Sequence, residues 1–600
     1  MERKFNILNI TSPDFLKELS IAELISLCDQ IREFIIENVS ITGGHLSSNL
    51  GSVESIVAMH YVFDSPKDKF LFDVGHQAYT HKILTGRAKD FVNLRKKDGL
   101  NGYPKYSENE NDVWESGHSS TTISAAGGFI EAKEVNSNIG DVICYIGDGA
   151  IQNGVAFEGL NYLGSQKDQK AIIIFNDNQM SIGKNVGRVA TKFSRFRIKK
   201  SYILMKKTFP KGMVRLKNAV RSFVYGKNIF ATMGYKYYGP IDGNNIGELI
   251  KFYKFAKGLK GSTILHIITK KGKGYQFAEA DTNGSWHGVK PFDIATGESF
   301  SKKSDQFITW SEGIANIVKP YLDKFNTRLI SPATLTGSHF DAFLKEYDEK
   351  IIDVGINEEH AIVMAAAMSR NGIIPIVSIY STFLQRAYDY INNDIARQGN
   401  HVIMLVDRAG LVPEDGSTHQ GVFDISILAP LPGIIIANPR NLDEAQVMMD
   451  LAYKANTLFV IRYPKCLVSK TIFGDTTFDV GSWEEIYPIN EINIITYGDE
   501  INEIIDSLKN QNIGLINARF IKPMDITILK KLSNKRVIVL EEVIKVGSLA
   551  SMIMMYNCEN KLNMDIMSRN VNDFLDVSSR TELKKEIGID KQSILNLLEL

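Results

Sequence analysis

Two short polar motifs, each directly after an apolar run, constrain this chain more than any other feature of its sequence. Gly147–Ala150 (GDGA) follows the run Val142–Ile146, and Asn176–Met180 (NDNQM) follows the run Ala171–Phe175. Apolar runs of this length that end in Gly, Asp or Asn are typical of buried parallel strands. Because ligands of open α/β sheets bind at the carboxyl ends of such strands, the pattern predicts that the two motifs share one ligand site.

The chemistry of the two motifs indicates what that ligand contains. Asp148 and Asn178 lie 30 positions apart and offer a carboxylate and an amide oxygen. Such oxygens suit Mg²⁺, which keeps few protein ligands and completes its octahedron with phosphate oxygens and water. Gly149 has no side chain, so the backbone can approach a diphosphate closely. The motifs therefore predict a magnesium ion that joins the protein to a diphosphate-bearing cofactor.

Composition places the chain among ordinary globular proteins. Its 600 residues are too many for one core, so two to four domains are expected. Acidic and basic residues balance at 69 each, which indicates no nucleic-acid partner. The four cysteines are scattered without a CxxC pair, as expected in a reducing cytosol rather than in a disulfide framework. We read no targeting segment and no apolar stretch of about twenty residues, so we expect a cytoplasmic bacterial protein without stable membrane association.

Strand-like apolar runs recur in three sets, separated by stretches of helical period. This alternation predicts an α/β fold of three consecutive α/β domains with mainly parallel sheets. The polar stretch Asp293–Asp305 reads as a linker. We therefore expect domains at residues 1–305, 306–480 and 481–600.

A basic insertion at about residues 184–230 interrupts the first domain. No acidic residue occurs from Gly183 through Ile241, and twelve lysines and arginines lie within residues 192–227. Three interpretations are open: a mobile, solvated insertion over the site, an electrostatic funnel for anionic substrates, or a helix that lies on a membrane surface.

Further motifs recur through the first two domains. They are residues 40–51 (SITGGHLSSNLG), 73–79 (DVGHQAY), 116–120 (SGHSS), 355–360 (GINEEH), 380–389 (YSTFLQRAYD), 407–410 (DRAG) and 415–421 (DGSTHQG). With the two motifs above, this set resembles the 1-deoxy-D-xylulose-5-phosphate synthase family of transketolase-like thiamine diphosphate enzymes. The resemblance covers about residues 15–190 and 230–525, and it fades after about residue 540.

The resemblance implies a thiamine diphosphate-binding fold, with two cofactor domains, a transketolase C-terminal-like domain, and thiamine diphosphate and Mg²⁺ as cofactors. It implies a transferase that condenses pyruvate with D-glyceraldehyde 3-phosphate, with loss of CO₂, to 1-deoxy-D-xylulose 5-phosphate. In the family this product feeds isoprenoid, thiamine and pyridoxal phosphate biosynthesis, and a homodimer is usual. Two alternatives stay open: a transketolase-like carboligase with another aldehyde acceptor, or a non-catalytic relative.

Glu358 is the residue on which the implied chemistry depends. The family places at this position the acid that hydrogen-bonds the cofactor's aminopyrimidine ring, so that the cofactor can lose its thiazolium C2 proton. A partly buried carboxyl that shares a proton with a ring nitrogen is a plausible pKa-tuned group. The alternative is a helix-start carboxylate that the helix dipole favours.

The remaining site residues follow from the same resemblance. Mg²⁺ is expected to be held by Asp148, the Asn178 side chain and the Met180 carbonyl. Phe383 is expected to stack on the aminopyrimidine. The other residues expected to contact the cofactor are His76, Gly117, His118, Ser119, Gly149, Ala150, Asn178, Tyr275, Glu358 and Arg386.

Three histidines match family positions near the reacting carbon: His45, His287 and His419. Imidazoles suit proton transfer at neutral pH, although a structural role is the alternative for each. Asp415 is expected to orient the substrate. The expected substrate-binding residues are Tyr380, Arg408, Arg462 and Lys465. An arginine grips phosphate with two charge-assisted hydrogen bonds, and a structural ion pair is the alternative for each arginine.

The chain departs from the family pattern chiefly at the expected acceptor site and in the third domain. Lys465 replaces the usual arginine, and Cys466 replaces the following glycine. Lysine is a point charge and loses the bidentate grip on phosphate. Glu359 adds a second acid beside Glu358. These changes leave acceptor choice open, and spacing alone does not tell whether one chain or two form the site.

Overall fold

A computed structural model of the chain describes residues 4–166, 169–178, 229–300, 304–472, 474 and 476–598. The chain divides into two compact units, residues 1–95 with 99–301 and residues 96–98 with 302–600. Met180 and nearly all of the basic insertion lie outside the described residues. The three interpretations of that insertion therefore stay predictions.

The first unit is built on a parallel sheet. Its described strands are β1 (Gly44–His45), β2 (Lys69–Phe72), β3 (Val142–Gly147), β4 (Ala171–Asp177), β5 (Lys236–Asp242), β6 (Thr263–Ile268) and β7 (Gly288–Val289). Five of them form one sheet in the order β2-β3-β4-β6-β5, and every pair in it is parallel. β1 and β7 form a separate antiparallel pair. β4 is buried at every residue because it lies in the middle of the sheet.

Helices cover the sheet of the first unit. They are α1 (Ile21–Thr42), α2 (Ser47–Val62), α3 (Tyr79–Lys82), α4 (Thr122–Val135), α5 (Gly154–Ser165), α6 (Ile229–Thr232), α7 (Ile246–Lys257) and α8 (Gln276–Glu279). Their starts follow capping chemistry: Ser20 and Glu23 form a capping box at α1, and the Asn153 side chain caps α5. α2 is buried almost throughout, so the residues that follow His45 belong to the core.

The second unit contains two larger sheets. Its described strands are β8 (Phe307–Thr309), β9 (Thr327–Ser331), β10 (Ile351–Asp353), β11 (Ile374–Tyr380), β12 (Ile403–Asp407), β13 (Ile435–Ala437), β14 (Phe459–Arg462), β15 (Leu467–Ser469), β16 (Glu484–Tyr487), β17 (Ile492–Thr496), β18 (Ile513–Asn517), β19 (Phe520–Lys522), β20 (Arg536–Ile544) and β21 (Asp565–Val571). The orders are β10-β9-β11-β12-β14-β13-β19 and β16-β18-β17-β20-β21. Only β19 and β16 run antiparallel to their neighbours in these two described sheets.

The helices of the second unit alternate with these strands. They are α9 (Trp310–Leu322), α10 (Leu344–Tyr347), α11 (Glu358–Arg370), α12 (Ser381–Leu384), α13 (Tyr388–Tyr390), α14 (Asp424–Leu428), α15 (Leu442–Lys454), α16 (Asp499–Leu508), α17 (Ile526–Lys531), α18 (Leu549–Asn560), α19 (Arg580–Ile587) and α20 (Lys591–Leu597). β19 follows β18 in sequence but pairs with β13 of the other sheet. The chain thus leaves the second sheet after β18 and adds β19 to the edge of the first sheet, where it pairs with β13.

The predicted fold class is confirmed, because three mainly parallel sheets alternate with helices along the chain. The predicted domain boundaries at residues 305 and 480 stay predictions. Within the described ranges, no helix has both the length and the apolar character that a membrane crossing requires.

Candidate cofactor and substrate site

The first unit places the two sequence motifs side by side. β3 and β4 are parallel neighbours, and Gly147 at the end of β3 lies opposite Asn176 near the end of β4. The backbone N–H of Asp148 donates to the carbonyl of Asn176 at 3.1 Å. Asp148 is buried, and Asn178 is the residue directly after the end of β4. Asp148 and Asn178, the two predicted metal ligands among the described residues, thus lie at the ends of adjacent strands.

A cavity of about 370 Å³ lies against Asn178 at this edge. Its lining residues are Asn178, Asp242, Asn244, Ile268, Thr269, Lys270, Lys271, Glu279 and Asp281. Among the described residues, no group of three or more His, Cys, Asp or Glu side chains is arranged to hold a metal alone. A donor set of one carboxylate and one amide fits Mg²⁺, which takes its other ligands from phosphate and water.

Lys271 is a cation that interacts electrostatically with Asp148, and no sequence motif singled it out. Burial lowers the pKa of the Lys271 ammonium to about 8, while the carboxylates of Asp148 and Asp281 oppose that shift. Its backbone is held by the next residue, since the N–H of Gly272 donates to the carbonyl of Ser47 at 2.8 Å. A half-buried ammonium at a predicted diphosphate site adds the positive charge that a diphosphate needs.

Hydrogen bonds bring the predicted segment Gly117–Ser119 to the GDGA motif. Ser120 Oγ donates to the carbonyl of Ala150 at 2.8 Å. The Ser120 N–H donates to the Asp73 carboxylate at 2.8 Å, and the Gly117 N–H donates to the carbonyl of Val74 at 2.8 Å. Asp73 also accepts from the Thr122 side chain at 2.6 Å, at the start of α4. The loops that carry Gly117, His118, Ser119, Gly149 and Ala150 are therefore neighbours, as a shared ligand requires.

Three predicted histidines form one cluster. The ring centroids of His45 and His76 are 5.7 Å apart, those of His45 and His287 are 5.8 Å apart, and those of His76 and His287 are 5.0 Å apart. Tyr103 lies against the same group, with its hydroxyl 3.5 Å from His45 Nε2. The residues come from positions far apart in sequence, so the fold rather than local spacing assembles this cluster.

Two of the three imidazoles, those of His76 and His287, favour the neutral state. Burial lowers the pKa of His76 to about 3, and the charge of Lys271 acts in the same direction. Burial also lowers the pKa of His287 well below its usual range, with further lowering from Lys271 and from the other two histidines. A neutral imidazole has one donor and one acceptor nitrogen, which suits it to orient a substrate and to exchange a proton.

Asn49 holds the cluster together, a role that sequence reasoning missed. Its side-chain Nδ2 donates to the carbonyl of His45 at 2.8 Å and to the carbonyl of His76 at 2.7 Å. Its Oδ1 accepts from the N–H of Tyr79 at 2.9 Å. The side chain is fully buried, so each of these bonds replaces one to water. The only sequence signal for Asn49 is its place inside the motif at residues 40–51.

Tyr275 lies in an aromatic cluster rather than along the strand ends. Its ring packs against Phe277, Trp286 and Phe292, with centroid distances of 5.5, 5.2 and 5.7 Å. Its hydroxyl donates to the carbonyl of Ile294 at 3.0 Å. The structure thus gives this tyrosine a packing role, and its predicted contact with the cofactor stays a prediction.

In the second unit, Glu358 is the first residue of α11 and is almost completely buried, at 2% exposure. Asp353 shapes the preceding turn by accepting from the Gly355 N–H at 2.8 Å, and Gly355 has a φ of 71°. Oε2 of Glu358 accepts no hydrogen bond from any described residue, and its nearest cation is Arg386 Nη1 at 3.7 Å. Burial raises the pKa of Glu358 to about 7, while Arg386 opposes that shift.

A buried carboxyl with one oxygen that makes no hydrogen bond and a pKa near neutrality can share a proton with a bound ligand. Such a group fits the ring nitrogen of an aminopyrimidine, which accepts a hydrogen bond from a protonated carboxyl. The helix-start interpretation accounts for the position of Glu358 but not for its burial without a hydrogen-bond partner at Oε2.

Aromatic rings and a cation line the end of β11. The rings of Tyr380 and Phe383 are stacked with centroids 5.6 Å apart, and the ring centroids of His419 and Phe383 are 5.9 Å apart with the rings nearly perpendicular. The Arg408 guanidinium lies over the Tyr380 ring at 3.9 Å. Arg408 has a left-handed φ of 57°, a strained conformation for a residue with a side chain. The structure therefore brings together four of the predicted residues of the second unit.

Gly337 permits this arrangement and was not identified from sequence. A methyl group at its Cα position would overlap the Tyr380 hydroxyl and would lie 3.1 Å from Arg408 Nη2. The fully buried Asp407 precedes Arg408 and accepts from Ser311 Oγ at 2.8 Å, and burial raises the pKa of Asp407 to about 6.

Lys465 and Asp415 contact each other, although the resemblance assigned them separate roles. Lys465 Nζ donates to Asp415 Oδ2 at 3.1 Å. The Lys465 side chain is 31% exposed, so its ammonium can still reach a ligand in solution. The ion pair brings one predicted substrate-binding residue to the predicted orienting acid.

Arg462 makes a structural ion pair. Its Nε and Nη2 donate to the two carboxylate oxygens of Asp424 at 3.0 Å each, and Nη1 donates to Asn438 Oδ1 at 2.8 Å. The side chain is buried, and its donors are directed to protein groups. We therefore do not retain Arg462 among the proposed substrate-binding residues, because the geometry favours the structural alternative.

We expect the neutral His76 of this cluster to cost stability as the pH falls. An unfolded histidine takes up a proton at about pH 6.5, whereas burial lowers the pKa of His76 to about 3 in the folded chain. Below about pH 6.5 the unfolded state binds more protons, so this group lowers the free energy of unfolding by up to about 1.4 kcal/mol per pH unit. Between pH 7.5 and 5, the melting temperature of His76→Gln should fall less than that of the wild type.

The matched control is His360→Gln, because His360 is exposed and lies outside the cluster. This control should keep the pH dependence of the wild type. Equal pH dependence in His76→Gln and the wild type would contradict a neutral His76.

Arg462→Met should destabilise the second unit by about 3–5 kcal/mol, because it leaves the buried Asp424 carboxylate without its partner. The double variant Arg462→Met, Asp424→Leu removes both charges and should recover most of that loss. Chemical denaturation of the three proteins measures the effect. An Arg462→Met variant as stable as the wild type would show that the ion pair is dispensable.

Comparison with known proteins agrees with these observations. Three family models match the chain: 1-deoxy-D-xylulose-5-phosphate synthase at residues 7–269, the transketolase pyrimidine binding domain at residues 306–470, and the transketolase C-terminal domain at residues 481–594. A solved transketolase from Campylobacter jejuni covers 97% of this chain and 100% of its own at 15% identity and a TM-score of 0.43, too low for residue-level comparison.

Curated relatives match over nearly the whole chain. The 1-deoxy-D-xylulose-5-phosphate synthase of Bacillus velezensis is 40% identical over 624 residues, which cover 99% of this chain and 98% of that protein. The enzyme of the same name from a Geobacillus species is 40% identical over 619 residues, with 98% of each chain covered. The resemblance seen in the motifs is thereby confirmed, and the chain belongs to the 1-deoxy-D-xylulose-5-phosphate synthase family.

Proposed function

We propose that this chain is a thiamine diphosphate-dependent transferase that condenses pyruvate with D-glyceraldehyde 3-phosphate to 1-deoxy-D-xylulose 5-phosphate. CO₂ is lost from pyruvate, and the product serves isoprenoid, thiamine and pyridoxal phosphate biosynthesis. Membership of the family supports the reaction. The structural observation that carries the proposal is Glu358, a buried carboxyl whose Oε2 has no described hydrogen-bond partner and whose pKa is raised to about 7.

Bound thiamine diphosphate supplies a nucleophilic thiazolium C2 and an acceptor for the electrons that decarboxylation leaves behind. Asp148 and Asn178 would hold Mg²⁺ at the strand ends, with Met180 as the further proposed ligand, and the ion would supply positive charge to the diphosphate. Lys271 adds positive charge there. His118, Ser119, Gly149 and Ala150 line the same edge.

Glu358 holds a proton toward the ring nitrogen of the cofactor's aminopyrimidine. Its burial keeps the carboxyl protonated near neutral pH, so that it donates this hydrogen bond rather than repelling the ring. Phe383 supplies the flat surface on which the pyrimidine stacks. Arg386 lies 3.7 Å from Glu358 Oε2 and limits how far the pKa of the carboxyl rises.

The histidines move or hold protons of the substrates. His45, His76 and His287 form a cluster within the first unit, and His419 lies beside Phe383 in the second. A neutral imidazole donates a hydrogen bond from one ring nitrogen and accepts one at the other, so it can orient a substrate group and relay a proton with no net change in its own charge. Arg408 and Lys465 bind the phosphate of the aldehyde, with Tyr380 and Asp415 as their supports.

Glu358→Gln should lower kcat by about 100-fold or more, since an amide cannot share a proton with the aminopyrimidine. Glu359→Gln makes the same change one residue away and should keep most of the activity. Formation of 1-deoxy-D-xylulose 5-phosphate from pyruvate and D-glyceraldehyde 3-phosphate is the measurement. Wild-type turnover in Glu358→Gln would remove this residue from the mechanism.

A thermal melt separates loss of chemistry from loss of folding. The raised pKa means that the folded state holds a proton between about pH 4.5 and 7 that the unfolded state releases, so Glu358 lowers stability as the pH rises through that window. At pH 8, Glu358→Gln should therefore melt no lower than the wild type.

A second candidate function is a carboligase with another aldehyde acceptor. The ion pair between Lys465 and Asp415 favours it, because a paired lysine binds phosphate more weakly than a bidentate arginine does.

The proposed synthase should prefer D-glyceraldehyde 3-phosphate to glyceraldehyde, and Lys465→Met should reduce that preference about tenfold. Lys470→Met, a change of the same kind on an exposed lysine nearby, should not. Equal rates with the two aldehydes would favour the second candidate.

We further propose that the protein acts as a homodimer in the bacterial cytoplasm. The family resemblance implies the homodimer, and relatives that match nearly the whole chain come from bacteria.

A further inference from the structure

The C-terminal region of the second unit contains a buried charge cluster to which none of the proposed steps assigns a role. Its central members are Glu500, Glu542, Arg580 and Lys584. Arg580 Nη2 lies 2.8 Å from Glu542 Oε1 and 3.2 Å from Glu500 Oε1. Lys584 Nζ lies 3.0 Å from Glu500 and 3.5 Å from Glu542. The four side chains are between 5% and 15% exposed, so they are shielded from solvent.

Two members of this cluster hold both polar main-chain groups of Leu411. The Leu411 N–H donates to Glu542 Oε2 at 3.1 Å, and Arg580 Nη1 donates to the Leu411 carbonyl at 3.0 Å. Leu411 is fully buried, so water does not compete for these groups. Charged partners on both sides of one residue fix the backbone there more firmly than neutral ones.

Leu411 belongs to the acceptor loop, which we define as residues 408–421. This loop carries Arg408, Asp415 and His419. Its base is closed by two hydrogen bonds between Gly410 and Gly421, at 2.7 and 2.9 Å. The Gln420 side chain also bonds both main-chain groups of Val412, at 2.8 and 3.0 Å. These hydrogen bonds fix the internal conformation of the loop. Its position in the second unit then depends on its contacts with neighbouring segments.

Further contacts come from the same C-terminal region. The Glu414 N–H donates to the carbonyl of Ser578 at 3.1 Å, and the Ile544 N–H donates to the carbonyl of Val422 at 3.0 Å. Ser578 and Arg580 lie at the start of α19, and Glu542 and Ile544 lie on β20. The start of α19 and the strand β20 thus make hydrogen bonds to the acceptor loop and to the residue that follows it.

We propose that Glu542 and Arg580 are positioning residues for the acceptor loop. Through Leu411 they set the place of Arg408, Asp415 and His419, and so the affinity for the phosphorylated aldehyde. The C-terminal region thereby contributes to acceptor binding without touching the acceptor. This inference rests on the proposed function, because the acceptor role of the loop comes from there.

Arg580→Met is the test, with Lys584→Met as its matched control. Both variants remove one positive charge from the same cluster, but the described contacts of Lys584 are to Glu500, Glu503 and Glu542 and not to the loop. We expect Arg580→Met to raise the KM for D-glyceraldehyde 3-phosphate about tenfold, the effect of losing one charge-assisted hydrogen bond. The KM for pyruvate should not change, and Lys584→Met should keep both KM values.

A merely structural role would lower the melting temperature in both variants and leave the KM values alone. An unchanged KM for the aldehyde in Arg580→Met, or an equal rise in Lys584→Met, overturns the proposal. Arg580→Lys, which keeps the charge and a donor, should restore most of the affinity. If Arg580→Met does not melt cooperatively, Arg580→Gln takes its place with the same expected and contradicting results.

The wild type separates this inference from the proposed function. A wild-type protein that forms no 1-deoxy-D-xylulose 5-phosphate contradicts the proposed function. A wild type that forms it, with an unaltered aldehyde KM in Arg580→Met, contradicts only the positioning role.

Discussion

Parallel pairing of β3 with β4 is the constraint on which the rest of the first unit depends. Gly147 lies opposite Asn176 in that register, and so the two polar motifs begin at the same height along the sheet. A shift by one residue would turn every side chain of a strand to the opposite face. The side chains of β3 and β4 are buried almost throughout, so such a shift would disrupt the core. Core packing therefore sets the positions of Asp148 and Asn178.

Burial then gives the functional groups their chemistry. The same desolvation raises the pKa of Glu358 and lowers the pKa values of His76 and His287, because it disfavours whichever form carries charge. Each unit thus holds groups in a neutral state near physiological pH. The nearby cations Lys271 and Arg386 also shift these pKa values, but burial is the larger cause.

Two buried arginines elsewhere in the second unit are paired with carboxylates, and the pairing has consequences for function. Arg462 is bound to Asp424, and Arg580 is bound to Glu542 and Glu500. A buried charge without a partner is expensive, so these arginines are committed to protein groups. The Arg408 guanidinium lies over the Tyr380 ring, and its backbone has a left-handed φ.

The sequence by itself determined the strands, the order of the motifs and the family, because apolar runs followed by Gly, Asp or Asn are local features of the chain. It also placed Glu358 at a turn before a helix. It did not reveal that Asn49 joins the His45 and His76 loops, that Gly337 makes room for Tyr380, or that Arg462 is an internal ion pair. Only the tertiary structure decided these points, since the decisive partners His76, Tyr380, Asp424 and Asn438 lie between 24 and 43 positions away. The Arg580 contact with Leu411 spans 169 positions. A residue type states which bonds a side chain can make, but folding selects the partner, because burial removes water and leaves only the groups that the packed chain brings within reach.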